Sequence, residues 1–251
     1  MMKKLTTLFL ALVAIPYSLA QTPDVKGELY NTIYGKDVGA MESLYNTLSV
    51  KADNGEGEQS AFWASYMAYR LGPIHLYMDK AKGEKFLNSC VAHSKQVSPD
   101  SPRKAESYAV SSLCYGQLIG ANPMKAAAYG SAAANALDAA YAMAPENPHV
   151  LLIGAINDIY TPEQWGGDKA RALVRLSDAF DVASNDPQWN WLLPEIHAYR
   201  ALALAKNGKL DDAEEALADA RELTPEFGFL NVVVTPTLKR MAATQTTAKT
   251  E

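Results

Sequence analysis

Apolar residues recur at intervals of three and four along most of the chain, a spacing that places them on one face of an α-helix. The apolar runs end in proline-containing phrases, namely VSPDSP, MAPENP, SNDPQ and LTPEF. Their first prolines, Pro99, Pro145, Pro187 and Pro225, are 46, 42 and 38 residues apart. An average period of about 42 residues predicts an all-α protein built from repeated helix pairs.

The last unit, LPEIHAYRALALAKNGKLDDAEEALADARELTPEF, shows the pattern most clearly. Ala201 and Leu204 mark a first helix, and Gly208 marks its end. A second helix then carries Ala213, Leu217 and Ala220 before Pro225, at intervals of four, three and five residues. The same intervals separate Ala133, Leu137, Ala140 and Pro145. Small residues at these positions allow two helices to approach closely, and proline ends the hairpin.

These intervals resemble those of the tetratricopeptide repeat, over residues 194–227 for the whole pattern and over 124–148 for half of it. The longer phrase ALDAAYAMAPENPHVLLIGAINDIYTPEQWGGDKARAL is also similar to a largely uncharacterised group of exported bacterial repeat proteins. The resemblance implies a right-handed superhelix of antiparallel helix pairs. For the tetratricopeptide family as a whole it also implies binding of a peptide or protein in a concave groove.

Two units follow the pattern by position only. Before Pro99, the matching positions hold Leu87, Val91 and Ser94, and the last of these replaces an alanine. Pro187 is out of register, and the helix before it is predicted from Asp168 to Ala183. Its predicted inward positions are Ala170, Val174 and Ser177.

The stretch YTPEQWGGDKARA falls between the two helices of one unit and predicts an enlarged turn. The turn residues are Pro162, Trp165, Gly166, Gly167 and Asp168: proline ends a helix, glycine permits left-handed backbone, and aspartate caps the next helix. The segments GPIHLYMDKAK and GANPM predict similar enlarged loops in two other units. The GGDK sequence lacks the spacing of a phosphate-binding loop, and no strand precedes it. We expect Trp165 to pack on its own hairpin; the alternative is that it is offered to a partner.

The chain ends differ in character from the interior. Residues 1–20 carry Lys3 and Lys4, a short apolar run and a small-residue site ending at Ala20, which predicts a signal peptide cleaved after Ala20. The apolar run is shorter than the roughly 20 residues of a membrane-spanning helix. We therefore expect a periplasmic or secreted protein with no integral membrane segment after signal removal.

Between the ends we expect one repeat domain over residues 22–240, with about five helix pairs, followed by a flexible tail over 241–251. The segment FGFLNVVVTPTLKRM is predicted to cap the last hairpin and to stop at Pro236, with a short extended piece as the alternative for its β-branched run.

The net charge of the chain bears on the class of partner that it can bind. Without residues 1–20 the chain has 21 basic and 28 acidic residues, a net charge of −7 that disfavours nucleic acid as a partner.

An oxidising compartment permits Cys90 and Cys114 to pair. However, a hairpin turning near Asp100 places Cys90 level with residue 110, so we expect two buried thiols and treat a disulfide as the alternative.

No motif indicates catalysis, a cofactor or a bound metal. His75, His93, His149 and His197 are far apart in the sequence, and none belongs to a metal-binding pattern. Acidic pairs such as Asp211–Asp212 fall in the first turn of a predicted helix, where negative charge complements the helix dipole.

Aromatic residues on the first helices are the better candidates for binding. Tyrosine and tryptophan offer large contact area with a polar group, and arginine pairs with carboxylates. The candidate binding residues are Trp63, Tyr66, Tyr69, Arg70, Tyr108, Tyr115, Asn157, Tyr160 and Tyr199. The same spacing is also that of a core stripe, and some of these tyrosines must pack between units. We predict a non-enzymatic scaffold that binds a protein or peptide; the alternative is a small-solute-binding accessory protein, for example of a transporter, with an enclosed pocket between repeats.

Overall fold

The computed structural model describes residues 27–57 and 59–248. The predicted signal peptide, residues 1–20, lies outside the described residues, as does the end of the predicted tail, 249–251. Within the described ranges the chain is helical and contains no β-strand. No helix in this part of the protein is both long enough and apolar enough to span a membrane.

Eleven α-helices follow one another within the described ranges. They are α1 (Glu28–Tyr34), α2 (Val38–Asp53), α3 (Ser60–Met78), α4 (Lys80–Gln96), α5 (Lys104–Ala121), α6 (Ala126–Met143), α7 (Pro148–Tyr160), α8 (Lys169–Asn185), α9 (Leu193–Lys206), α10 (Leu210–Leu223) and α11 (Thr235–Ala248). Short 3-10 turns cover Pro123–Lys125, Glu163–Trp165 and Asn190–Leu192, and a π-helical turn covers Leu230–Val234.

Consecutive helices pack as hairpins, and the hairpins pack in two layers. The pairs α3–α4, α5–α6, α7–α8 and α9–α10 form the hairpins, while α3 with α5, α5 with α7, and α7 with α9 pack side by side. These first helices are buried over most of their surface, whereas α6, α8 and α10 bury one face each. The protein is therefore an all-α array of consecutive helix pairs whose first helices form the inner layer.

The sequence pattern of the last unit is reproduced in its packing. Ala201, Ala213, Leu217 and Ala220 are all buried between α9 and α10. Gly208 adopts a positive φ of 78° at the turn, a backbone conformation that glycine takes without strain. The helix α10 ends at Leu223, two residues before Pro225, so proline stops the helix as predicted.

The inward face predicted for α8 is wrong. Ala170, Val174 and Ser177 are exposed, and Ala172, Leu176, Ala179 and Ala183 are buried instead. Ala172, Leu176 and Ala179 have the same four and three spacing as Ala213, Leu217 and Ala220. Pro187 follows eight residues after Ala179 instead of five, because α8 is 17 residues long where α10 has 14. One extra helical turn keeps the packing face and moves only the proline.

The enlarged loop predicted between α3 and α4 is also wrong. Helix α3 continues through Pro73 to Met78, and Asp79 alone separates it from α4. Proline removes one hydrogen bond inside a helix, but Leu71 and His75 on either side of it are buried. The burial of this helical turn against α4 outweighs the tendency of Pro73 to end the helix. The predicted loop at GANPM is a 3-10 turn over Pro123–Lys125, so among the turns inside the hairpins α3–α4, α5–α6, α7–α8 and α9–α10 the longest is that between α7 and α8.

The C-terminal segment covers the last hairpin, but it does not stop at Pro236. Leu230 and Val234 are buried, and α11 then packs on α9 and α10. Pro236 is the second residue of α11, which follows the π-helical turn over Leu230–Val234 without a break, so the proline does not end the helix. The β-branched run is a π-helical turn and not an extended piece, and helix continues to Ala248 beyond the predicted start of the tail at 241.

Cys90 and Cys114 form a disulfide, so the expectation of two free thiols is wrong. Their Cα atoms are 6.4 Å apart. The error lies in adding the separation of the helix axes to the axial offset. Facing Cα atoms each lie about 2.3 Å off their axis, so axes about 8–10 Å apart leave only about 4–5 Å between them. Cys90 does lie level with residue 110, since its Sγ is 3.9 Å from the Val110 carbonyl oxygen, and Cys114 is one turn further along the same face.

Candidate functional site

The turn between α7 and α8 is formed by the residues from which the sequence analysis predicted it. Gly166 has a left-handed φ of 94°, and the Gly167 N–H donates to the Pro162 carbonyl at 3.2 Å. A side chain at Gly167 would collide with the Thr161 carbonyl. Asp168 caps α8 by accepting from the N–H groups of Ala170 and Arg171. The segment turns the chain, and the Gly166 carbonyl faces Arg171 instead of an open cavity.

Trp165 lies at the tip of this turn and is 77% exposed. The expectation that it packs on its own hairpin is wrong, because most of its side chain is exposed at the end of the 3-10 turn over Glu163–Trp165. An exposed tryptophan is the less common outcome for this residue type.

Most of the predicted aromatic set lies in the interior. Trp63, Tyr66, Tyr69 and Tyr199 are each at most 6% exposed. They lie where side chains of α3 reach across to α9, and these two are the first helices of the hairpins α3–α4 and α9–α10. The hydroxyl of Tyr66 donates to Glu195 Oε2 of α9 at 2.9 Å. An open groove lined by these four residues is therefore absent from this part of the structure.

Glu195 is the centre of a buried polar cluster. Its Oε1 accepts from Arg70 Nη1 at 3.0 Å, while Oε2 accepts from Tyr66. The carboxylate is 2% exposed and the arginine side chain 12%. Burial, and next the nearby Glu195 charge, raise the pKa of the Tyr66 phenol well above its ordinary value. Tyr66 therefore stays a hydrogen-bond donor.

The N-terminal helix α1 lies against this cluster. Arg70 Nη2 donates to the Ile33 carbonyl at 3.3 Å, and the Tyr34 hydroxyl donates to the Trp191 carbonyl at 2.7 Å. The Tyr34 ring also meets Phe227 edge-on, with centroids 5.0 Å apart. We call this place, bounded by Arg70, Trp191 and Phe227, the α1 cleft. It holds a short helical segment of the same chain between the first and last long hairpins.

A second buried cluster lies deeper in the inner layer. Arg103 donates to both oxygens of Glu106 at 2.9 and 2.8 Å, and His149 Nδ1 lies 2.9 Å from Glu106 Oε2. The Arg103 guanidinium is also within 5.5 Å of the ring centroids of Phe62, Trp63 and Trp189. A carboxylate beside a histidine is a combination found in acid–base catalysis, but here both side chains are 1% exposed and out of reach of a solute.

The remaining predicted residues are separated from one another. Half-buried Tyr108 lies under Lys104 Nζ, and Tyr115 pairs with Tyr129 of α6 at 5.3 Å between centroids. Asn157 donates to the Ile153 carbonyl within its own helix and to Ser112 of α5. The Tyr108 contact lies within α5, while the Tyr115–Tyr129 and Asn157–Ser112 contacts join neighbouring helices, and together they do not converge on a site.

Tyr160 is 52% exposed and is the last residue of α7. Its ring meets Tyr199 at 6.4 Å between centroids and lies 5.9 Å from Lys206 Nζ. Together with Leu202, Val233, Arg240 and Met241 it lines a groove of about 380 Å³, which we call the C-terminal groove.

The sequence reasoning missed Glu195, Tyr34, Trp191 and Phe227. A glutamate two residues into the apolar run LPEIHAYRALALA is a detectable signal, because an acid on a first helix interrupts an otherwise apolar face. The pairing of Tyr34 with Trp191 joins residues 157 positions apart and has no local signature.

Comparison with known proteins finds no family model that matches the chain and no similar curated protein. The class of the protein is accordingly defined by its fold and interior: an all-α array of helix pairs with two buried charged clusters.

Proposed function

We propose that this chain is a non-enzymatic, tetratricopeptide-like scaffold of the periplasm or cell exterior that binds a peptide segment of a partner protein in the α1 cleft. The proposal includes a right-handed superhelix of the helix pairs and export after cleavage at Ala20. Its main support is that the cleft already holds a peptide segment: α1 is anchored there by the Tyr34 side chain and the Ile33 carbonyl.

The chemistry of the cleft suits a helical or turn-forming peptide with an aromatic residue. Arg70 offers a donor to a backbone carbonyl, the Trp191 carbonyl accepts from a hydroxyl, and Phe227 supplies an aromatic edge. Few contacts hold α1 to α2, and the pair Lys36–Glu226 at its end is more than half exposed on both sides. Exposed pairs add about 1 kcal/mol or less, so α1 is held mainly by the buried side chains of Ile33 and Tyr34.

The first experiment uses a fluorescent peptide of sequence GELYNTIYGK, which is residues 27–36. In the wild type, α1 competes with it at an effective concentration in the millimolar range. We expect Tyr34→Ser to weaken that competition and to increase peptide binding at least about tenfold, as measured by fluorescence polarisation.

The matched control is the same peptide carrying the change equivalent to Tyr34→Ser, which should bind neither protein. Equal, weak polarisation signals for both peptides on the Tyr34→Ser protein would refute the cleft as a peptide site. The alternative function, a small-solute-binding accessory protein, would have its site in the C-terminal groove, which is an open groove and not the enclosed pocket expected from the sequence.

A further inference from the structure

The C-terminal groove combines an apolar floor with unpaired positive charge. Leu202 is buried at its base, and Val233 and Met241 are half-buried along its sides. Lys206 and Arg240 line the same groove. Among the described residues neither cation forms an ion pair with an acid. Other cations, such as Lys82, Lys125 and Arg175, do pair with a carboxylate of another helix.

The electrostatics of Lys206 have an identifiable origin. The pKa of its ammonium group is lowered mainly by burial, and further by the positive charges of Lys169 and Arg240. Burial also raises the pKa of Tyr160 to about 12, so the phenol is neutral and gives no counter-charge near neutral pH. A bound anion would relieve this repulsion between cations.

Three elements contribute the walls of the groove. Helix α11 packs on α9 and α10, and the π-helical turn before it carries Val233. Lys206 is the last residue of α9 and Arg240 lies within α11, and both line the groove.

We propose that the C-terminal groove binds an aliphatic carboxylate of medium chain length, with the carboxylate between Lys206 and Arg240 and the chain against Leu202, Val233 and Met241. A volume of about 380 Å³ is at the lower end of ligand-binding pockets, which favours a small molecule. Two cations above an apolar floor favour an anion with an apolar tail. A neutral aliphatic molecule would leave the cations without a counter-charge, and a short anion would leave the apolar floor exposed to water. This site is separate from the α1 cleft and does not depend on the function proposed for it.

The test is isothermal titration calorimetry of the full mature protein with octanoate, using 1-octanol and propanoate as probes that lack the charge or the chain. We expect saturable binding of octanoate and weaker binding of both other probes. Lys206→Gln and Arg240→Gln should each weaken octanoate binding by about tenfold or more, the usual effect of removing a charge-assisted hydrogen bond.

Lys239→Gln is the matched control, because Lys239 is an exposed cation on the same helix that does not line the groove. It should bind octanoate as the wild type does. Met241→Glu should abolish binding by placing a carboxylate in the groove, while circular dichroism reports that the fold is kept. Absence of saturable octanoate binding would overturn the proposal. Equal affinity for 1-octanol, or octanoate binding that Lys206→Gln and Arg240→Gln leave unchanged, would also overturn it.

Discussion

Glu195 shows at the scale of one residue how the inner layer is held together. Its carboxylate is almost wholly removed from water, yet each oxygen accepts a hydrogen bond from α3, one from Tyr66 and one from Arg70. A buried ion pair of this kind adds little net stability over a well-packed apolar pair. Removing one partner is different, because the other charge is then left buried and alone.

We expect Glu195→Gln to lower the free energy of unfolding by about 3–5 kcal/mol, since Arg70 loses its counter-charge. The measurement is urea unfolding followed by circular dichroism. Glu226→Gln provides the comparison: it breaks the pair with Lys36, in which both side chains are more than half exposed, and should cost about 1 kcal/mol or less. Similar losses in the two variants would show that the Glu195 pair is not isolated from water.

At the scale of elements, the disulfide joins α4 to α5 and closes a loop with a sequence separation of 24 residues. Closing such a loop reduces the freedom of the unfolded chain, an effect of about 3 kcal/mol. Reduction of the wild type, or the double change Cys90→Ala with Cys114→Ala, should lower stability by about this amount. Thermal unfolding with and without reductant measures it.

The alanine variant should not respond to reductant, which separates the effect of the bond from that of the reagent. A thiol assay on the denatured, unreduced protein should detect no free thiols. Detection of two would contradict the disulfide and restore the expectation of two buried thiols.

The helix ends were predictable from the sequence where the signal is local. Proline two residues after α10, glycine at the α9–α10 turn and aspartate before α8 each act on their immediate backbone. Pro73 was misjudged because its local cost is outweighed by burial against α4, a contact with residues that follow in the chain. The exposure of Trp165 was misjudged because no segment among the described residues packs over the turn and covers it.

At the scale of the whole molecule, side chains of α3 meet Glu195 of α9 in the inner layer. Sequence spacing correctly placed Trp63, Tyr66 and Tyr69 on one face of a first helix, but it did not reveal what that face would contact. The contact of Tyr66 and Arg70 with Glu195 joins residues 129 and 125 positions apart, so it has no local signature in the sequence. The candidate groove residues are for that reason mostly core residues, and α1 occupies a cleft at their edge.

Global stability should depend on pH through His197, which joins α9 to its neighbours. The ring is 7% exposed, meets Phe180 of α8 and lies 3.3 Å from Asp219 of α10. Burial lowers its pKa, Asp219 opposes the shift, and Arg200 adds to it. The unfolded chain thus binds the proton more readily, so stability should fall as the pH drops through about 6.5.

Urea unfolding between pH 8 and pH 5 measures this dependence. His197→Gln should reduce the loss of stability on the acid side. Asp219→Asn should increase it, since the carboxylate is what favours the charged ring. A wild-type slope that His197→Gln leaves unchanged would assign the pH dependence to other groups.

The four tryptophans divide into two optical populations. Trp63, Trp189 and Trp191 are at most 9% exposed, whereas Trp165 projects from the α7–α8 turn with 77% of its surface free. Indole emission shifts to the red in water, and a soluble quencher reaches only the exposed ring. The protein therefore carries two intrinsic fluorescence reporters, one for the interior where α3 meets α9 and one for events at the turn, and selective quenching separates their signals without an added dye.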